Sequence, residues 1–272
     1  MTNGTTAVRR HPALTHFGVA AGIGVLGGLM GLGGAEFRLP YLVGVLGLSV
    51  RQAVPVNLAI SLATLLAALP ARAVSVSAGD LTPFAVEAAS LAAGATVAAF
   101  VGAGWLHRLS DRWLSQAVLG LLVVLGVALI FEGLIEDAGT ALIPDGTATR
   151  VACGFALGLG IGFVSSLLGV AGGEVIIPTL VFGFAAPIKA AGSLSLLVSL
   201  PTVGVGLARH VRRGMLDRSL TRAVVVPMAA GSALGAALGG SLLGLVPADA
   251  LKLALGVALI WSARRAFGHH AA

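Results

Sequence analysis

The sequence predicts an all-α, polytopic membrane protein built from two internal repeats, and three observations carry that prediction. Charged residues make up 10% of the chain, against about 25% in soluble domains. Hydrophobic residues make up 57% and the mean hydropathy is +0.99. The apolar runs come in lengths of roughly 20 residues, enough for a helix to cross a bilayer, and a bilayer leaves no other way to pair the peptide groups of an isolated span. Finally, Gly31-Leu-Gly-Gly-Ala-Glu-Phe-Arg-Leu-Pro40 returns as Gly169-Val-Ala-Gly-Gly-Glu-Val-Ile-Ile-Pro178, displaced by 138 residues. Laying residues 31–61 on 169–199 gives nine ungapped identities, among them Gly34/Gly172, Glu36/Glu174, Pro40/Pro178 and Ser61/Ser199.

The elements follow in order. Residues 1–12 are a short polar lead. From Ala13 to Leu48 the chain is almost uninterruptedly apolar, too long for one perpendicular span and too short for two. Gly33, Gly34 and Pro40 divide it into a spanning helix and a half-helix from about Phe37, because glycine and proline both interrupt helices. Glycines at 18, 22, 27 and 31 give the first helix a close-packing face. Residues 50–70 form the next helix, with Asn57, Ser61 and Thr64 on one face at i, i+4, i+7 spacing. A loop is expected around Arg72–Asp80, then spans at 81–106 and 112–134, joined by His107–Arg112. The acidic, proline- and glycine-containing segment 135–149 is the linker between the first repeat, 13–134, and the second, 150–266. The second repeat has a span at 150–170, a broken element at 173–186 and a helix at 188–208 carrying Ser193, Ser195 and Ser199. An arginine-rich loop at 209–222 and spans at 223–245 and 248–266 complete it. This amounts to about four spanning helices and one Gly/Pro-broken half-helix per repeat. If each broken element stops short of crossing, the repeats are parallel; if each crosses, they are inverted.

The charge of +6 does not indicate nucleic acid. Arg9, Arg10, Arg209, Arg212, Arg213, Arg218, Arg222, Arg264 and Arg265 lie between or beyond the apolar runs, where cytoplasmic loops collect positive charge. No aromatic-interleaved basic face accompanies them. Both termini are therefore expected on the cytoplasmic side of a multi-pass plasma (inner) membrane protein. Cys153, the single cysteine, makes neither an internal disulfide nor a metal cluster. Gly22-x-Gly-x-x-Gly27 matches a dinucleotide fingerprint only formally, because no strand precedes it. No Walker A, His-Glu-x-x-His or Gly-x-Ser-x-Gly sequence occurs, so ATP drive and enzymatic chemistry are not expected, and neither a cofactor nor a metal is implied.

The duplicated break is the candidate site, since matching interruptions in two halves mark the binding site of a transporter. A helix starting inside the membrane presents free N–H groups and a positive dipole end to an anion. Gly33, Gly34, Gly172 and Gly173 allow close approach to that backbone, with Pro40 and Pro178 as the helix-breaking residues. Asn57, Ser61, Ser193, Ser195 and Ser199 supply neutral hydrogen bonds, and Arg38 pairs with Glu36 or attracts the anion. Glu36 and Glu174 have two readings: carboxyls that bind and release the coupling proton, or caps on the half-helix starts.

These residues resemble the TauE/SafE family of membrane permeases: the two Gly-rich breaks, each followed by proline, the helices after them, and Arg-His…Arg-Arg-Gly at 209–214. The resemblance extends over about residues 14–266. It implies a plasma-membrane secondary transporter of sulfur-containing oxyanions, such as sulfite, sulfoacetate or other organosulfonates, with export the usual direction. A passive anion channel, or a permease for another small anion, is the alternative. The expected partners are a small anion and the lipid bilayer, with a homodimer an admissible assembly.

Overall fold

The computed structural model describes residues 12–102, 127, 130, 141–168 and 170–267. The expected span at 112–134 apart from residues 127 and 130, the His107–Arg112 join, Gly169 and the 135–140 part of the linker lie outside the described residues. The helices are α1 (Ala13–Met30), α2 (Ala35–Pro40), α3 (Val50–Arg72), α4 (Ala78–Leu81), α5 (Ala85–Gly102), α6 (Thr147–Leu168), α7 (Gly173–Pro178), α8 (Ile188–Arg212), α9 (Arg218–Leu220), α10 (Val226–Leu242) and α11 (Ala248–Phe267). Among the described residues, six helical stretches are long and apolar enough to cross a membrane. Two boundaries differ from the sequence reading. Arg72, expected in a loop, is the last residue of α3, and α8 runs on to Arg212, so the arginine-rich stretch is largely helical.

Local chemistry places the ends. α1 stops at Gly31, whose left-handed φ of 82° no side chain adopts readily, and whose N–H bonds Gly27 O at 2.9 Å. α3 starts at a capping box in which the Ser49 N–H donates to Gln52 Oε1 at 3.1 Å. Between them the broken element starts at Gly34, another left-handed residue, with φ 66°. It runs as α2 and widens to a π turn at Tyr41–Val45 directly after its proline. The second copy repeats this backbone position for position: Gly172 at φ 79°, α7, then a π turn at Thr179–Gly183. Even the left-handed residue after the π turn recurs, as Gly47 at φ 72° and Ala185 at φ 56°.

The long helices interlock across the repeats. α1 of the first repeat packs on α10 of the second, and α6 of the second packs on α5 of the first. Small residues at four-residue spacing make both contacts. Phe17, Ala21 and Val25 lie against Gly231, Gly235 and Gly239, while Ser90, Leu91 and Ala95 lie against Gly154, Gly158 and Gly162. Both pairs are thus parallel. The central helices α3 and α8 are antiparallel, with Arg72 beside Gly192 and Leu58 beside Gly206. α10 runs with α3, as Ser232 meets Thr64 and Gly240 meets Ala71. α5 and α6 end beside the last turns of α8, where Ala99, Ser165 and Ser166 gather with Gly206 and His210. So α1, α3 and α10 point one way and α5, α6 and α8 the other, each opposite to the element 138 residues away. Because α1 and α3 point the same way, the broken element between them must return through the helix layer. Glu87 is buried between α5 and α6 and pairs with Arg150 at 3.0 Å.

The α1–α10 seam is a backbone contact, so it should not tolerate side chains. A Cβ on Gly28 would stand 2.2 Å from Ala236 O, and one on Gly235 2.0 Å from Ala21 O, whereas Gly18 has no neighbour within 4 Å. Gly28→Leu or Gly235→Leu should cost at least the ~1–3 kcal/mol typical of overpacking, read as a lower thermal midpoint and loss of the monodisperse peak in detergent, while Gly18→Ala leaves both unchanged.

Candidate functional site

The two breaks meet. A Cβ on Gly33 would stand 2.6 Å from that of Ala171, and a Cβ on Gly173 3.1 Å from Leu32 Cδ2, so each copy of the motif rests on the other. Glu36 and Glu174 follow the two breaks by two residues, and their carboxyls come within hydrogen-bonding reach of each other. Both are buried, at 8% and 7% exposure. Each leaves Oε1 enclosed with no hydrogen-bond partner, as two facing carboxylates must, since neither carries a donor. The Glu36 carboxyl also faces the backbone N–H groups of Ala35 and Glu36, the first of α2. The geometry leaves both readings of Glu36 open: its carboxyl lies by the first N–H groups of α2, whose start has no side-chain cap, and it faces its counterpart from the other repeat.

Arg38, one turn further on, is completely buried. Its guanidinium has five N–H groups, and all of them are used. Nε donates to Asn57 Oδ1 at 3.1 Å; Nη1 to Thr64 Oγ1 at 3.2 Å and Ser232 Oγ at 2.9 Å; Nη2 to Gly33 O at 2.5 Å and Ser61 Oγ at 2.6 Å. The Asn57 amide in turn donates to Ala35 O at 3.0 Å. The face of α3 expected from the i, i+4, i+7 spacing thus converges on one cation, and through it on the first break. Every acceptor is neutral. The charge acts on Glu36 through space without a carboxylate hydrogen bond among the described ion pairs.

The second copy differs in chemistry while keeping the backbone. Ile176 stands in place of Arg38, and Ser195 and Ser199 in place of Asn57 and Ser61. Ser199 Oγ donates to Ala171 O at 2.8 Å, bonding the residue equivalent to Gly33. Ser195 Oγ is enclosed without a partner and lies 3.1 Å from where a Gly173 Cβ would be. The serines at 195 and 199 thus join the breaks, whereas Ser193 accepts from Arg72 Nε at 3.0 Å at the end of the helix layer. Pro178, the last residue of α7, is buried.

Arg72 is a functional candidate that the sequence reading missed. It is 1% exposed. Its Nη1 donates to Gly28 O at 2.9 Å and Leu29 O at 2.7 Å, the last carbonyls of α1, and its Nη2 to Lys189 O at 2.9 Å at the start of α8. The guanidinium therefore ties three helix ends together. The one available signal was a cation ending an apolar helix, which a loop residue produces equally well.

A polytopic helical bundle in which two broken, quasi-equivalent elements meet at buried ionisable groups is the architecture of a membrane transporter. The chain matches the family described as Sulfite exporter TauE/SafE over residues 2–129 and 154–270. It belongs to that family. No curated protein and no solved structure matches it.

Removing the Arg38 cation should expose how much of the first break depends on it. Arg38→Met leaves Gly33 O, Ala35-bound Asn57 and three hydroxyls to re-pair, at about 1–3 kcal/mol for each polar atom stranded. The expected result is a large fall in the thermal midpoint of the purified protein. A midpoint equal to that of the unchanged chain would show that the network is not holding the break.

Proposed function

We propose that the protein is a secondary transporter of a small sulfur-containing oxyanion, such as sulfite or an organosulfonate, that moves one anion together with a proton through the paired breaks. The observation that carries this reading is the meeting of Glu36 and Glu174 beside the buried Arg38 charge. Two carboxylates in contact in a low-dielectric site do not both stay ionised, so the pair holds one proton in the resting state. That proton gives an enclosed Oε1 a partner. The site then sums to zero, one positive charge on Arg38 and one negative on the pair. A second proton leaves the Arg38 charge uncompensated, and an anion at the breaks restores neutrality. Proton and anion thus bind together, and neither crosses cheaply alone, since an unpaired charge inside a membrane is expensive.

The anion would be held by groups with capacity to spare: the backbone at Gly33, Gly34, Gly172 and Gly173, and the Ser195 hydroxyl. The five N–H groups of Arg38 are engaged, so in this conformation it acts on the anion by charge and not by direct contact. Asn57 and Ser61 hold Arg38, and Ser199 holds the second break through Ala171. Opposed elements in the two repeats support an inverted arrangement whose halves rock about the shared centre. Both termini then lie on one side, the cytoplasmic one by the distribution of arginine. Direction follows the larger of the two gradients; export is the direction that the family's description names.

The coupling is tested in liposomes with a sulfonate, whose own charge is constant near neutral pH. An imposed pH gradient should drive accumulation above equilibrium in the unchanged protein. The double variant Glu36→Gln/Glu174→Gln should lose that drive. Accumulation with the same pH dependence in the variant would remove the coupling role, and simple equilibration by the unchanged protein would favour a channel.

A further inference from the structure

The two sides of the helix layer are built from equivalent elements, yet they are filled differently. On one side Arg72 fills the space between the ends of α1 and α3 and the start of α8. The equivalent residue on the other side, 138 positions on, is His210, and there the structure has a small cavity, water-sized in this conformation. Its polar lining is Ser165, Ser166, Thr202 and His210, closed by Leu58 and Gly206. The serines are equivalent to Gly27 and Gly28, so hydroxyls appear at two positions where the Arg72 side has only backbone. The cavity reaches the second break, since Ser165 Oγ stands 2.4 Å from where a Cβ on Gly172 would be. Next to His210, Arg209 stacks on Phe100 at 4.8 Å and keeps a buried Nη1 with no hydrogen-bond partner.

We propose that this cavity is a second oxyanion subsite, on the passage between the paired breaks and the side where α8 ends, and that Arg72 is the seal of the opposite passage. The inference rests on the anion-transport reading. The ligand class follows from the lining: hydroxyls and an imidazole suit the oxygens of a small sulfur or similar oxyanion, and the Arg209 charge favours an anion over a neutral solute. Ser166 and Thr202 donate to Phe163 O at 2.8 Å and Val198 O at 3.1 Å, so each hydroxyl turns from a helix carbonyl to the anion at little cost.

The test is thiol accessibility in the full-length protein in liposomes. Cys153→Ser removes the only native thiol. Thr202→Cys is compared with Thr64→Cys, its equivalent on the sealed side, which is packed against Arg38. Gly206→Cys is a second probe of the cavity, since a Cβ there has only Leu58 Cδ1 nearby, at 3.6 Å. A charged, membrane-impermeant thiol reagent should modify Thr202→Cys and Gly206→Cys at least tenfold faster than Thr64→Cys. Sulfate or sulfoacetate should slow that modification. Equal rates at Thr202→Cys and Thr64→Cys, or two cavity positions that react only after denaturation, would overturn the one-sided passage. Fast modification with no protection by any oxyanion would overturn the subsite. Thermal stabilisation of the unchanged protein by the same anions separates the two failures: stabilisation without protection removes only the subsite, while no stabilisation removes the transport reading beneath it.

Discussion

The structure depends on satisfying a completely buried arginine with neutral partners. Arg38 sits inside an apolar helix layer, where an unpaired donor costs more than anywhere else in the protein. Its five N–H groups reach α3 through Asn57, Ser61 and Thr64, α10 through Ser232, and the first break through Gly33 O. That set of partners couples the two repeats and holds the carbonyl of Gly33 away from helical pairing. The break is therefore more than a gap left by glycine. It is held open by a cation that needs its carbonyl.

Duplication then provides a second copy of the same backbone, and divergence gives the copies different work. Left-handed Gly34 and Gly172, the six-residue helices, the π turns and the left-handed residues at 47 and 185 repeat almost unchanged. The side chains do not. One copy has Arg38 and its ring of acceptors; the other has Ile176, an enclosed Ser195 hydroxyl and a Ser199 bond to Ala171. The same contrast recurs at the helix ends, where Arg72 closes one side and His210 leaves a cavity on the other. Of the ionisable residues in the two breaks, only the glutamates are kept in both copies, and those are the groups that face each other.

Much of this was legible in the sequence, because membrane burial writes itself into composition and the motif is written twice. Six of the span positions, the two breaks, the common face of Asn57, Ser61 and Thr64, and the family could be read directly. What could not be read was partnership. The spacing brought polar residues to one face of α3, but nothing in it said that their common partner was Arg38, a side chain of the neighbouring break with five acceptors packed around it. Arg72 looked like a loop cation because a helix end and a loop start share the same residues. The direction of the repeats also stayed open, since the arginine distribution suits both arrangements. The packing of Phe17, Ala21 and Val25 along Gly231, Gly235 and Gly239 sets those directions, and it depends on contacts more than 200 residues apart.

The central claim is that the two repeats meet to form one proton site. Infrared spectroscopy of the purified protein at neutral pH measures it directly, because a protonated carboxyl has a carbonyl stretch that a carboxylate lacks. The account predicts one buried protonated carboxyl in the unchanged protein, with a band that shifts or vanishes in Glu174→Gln and Glu36→Gln alike. No protonated carboxyl, or a band that neither substitution alters, would contradict it.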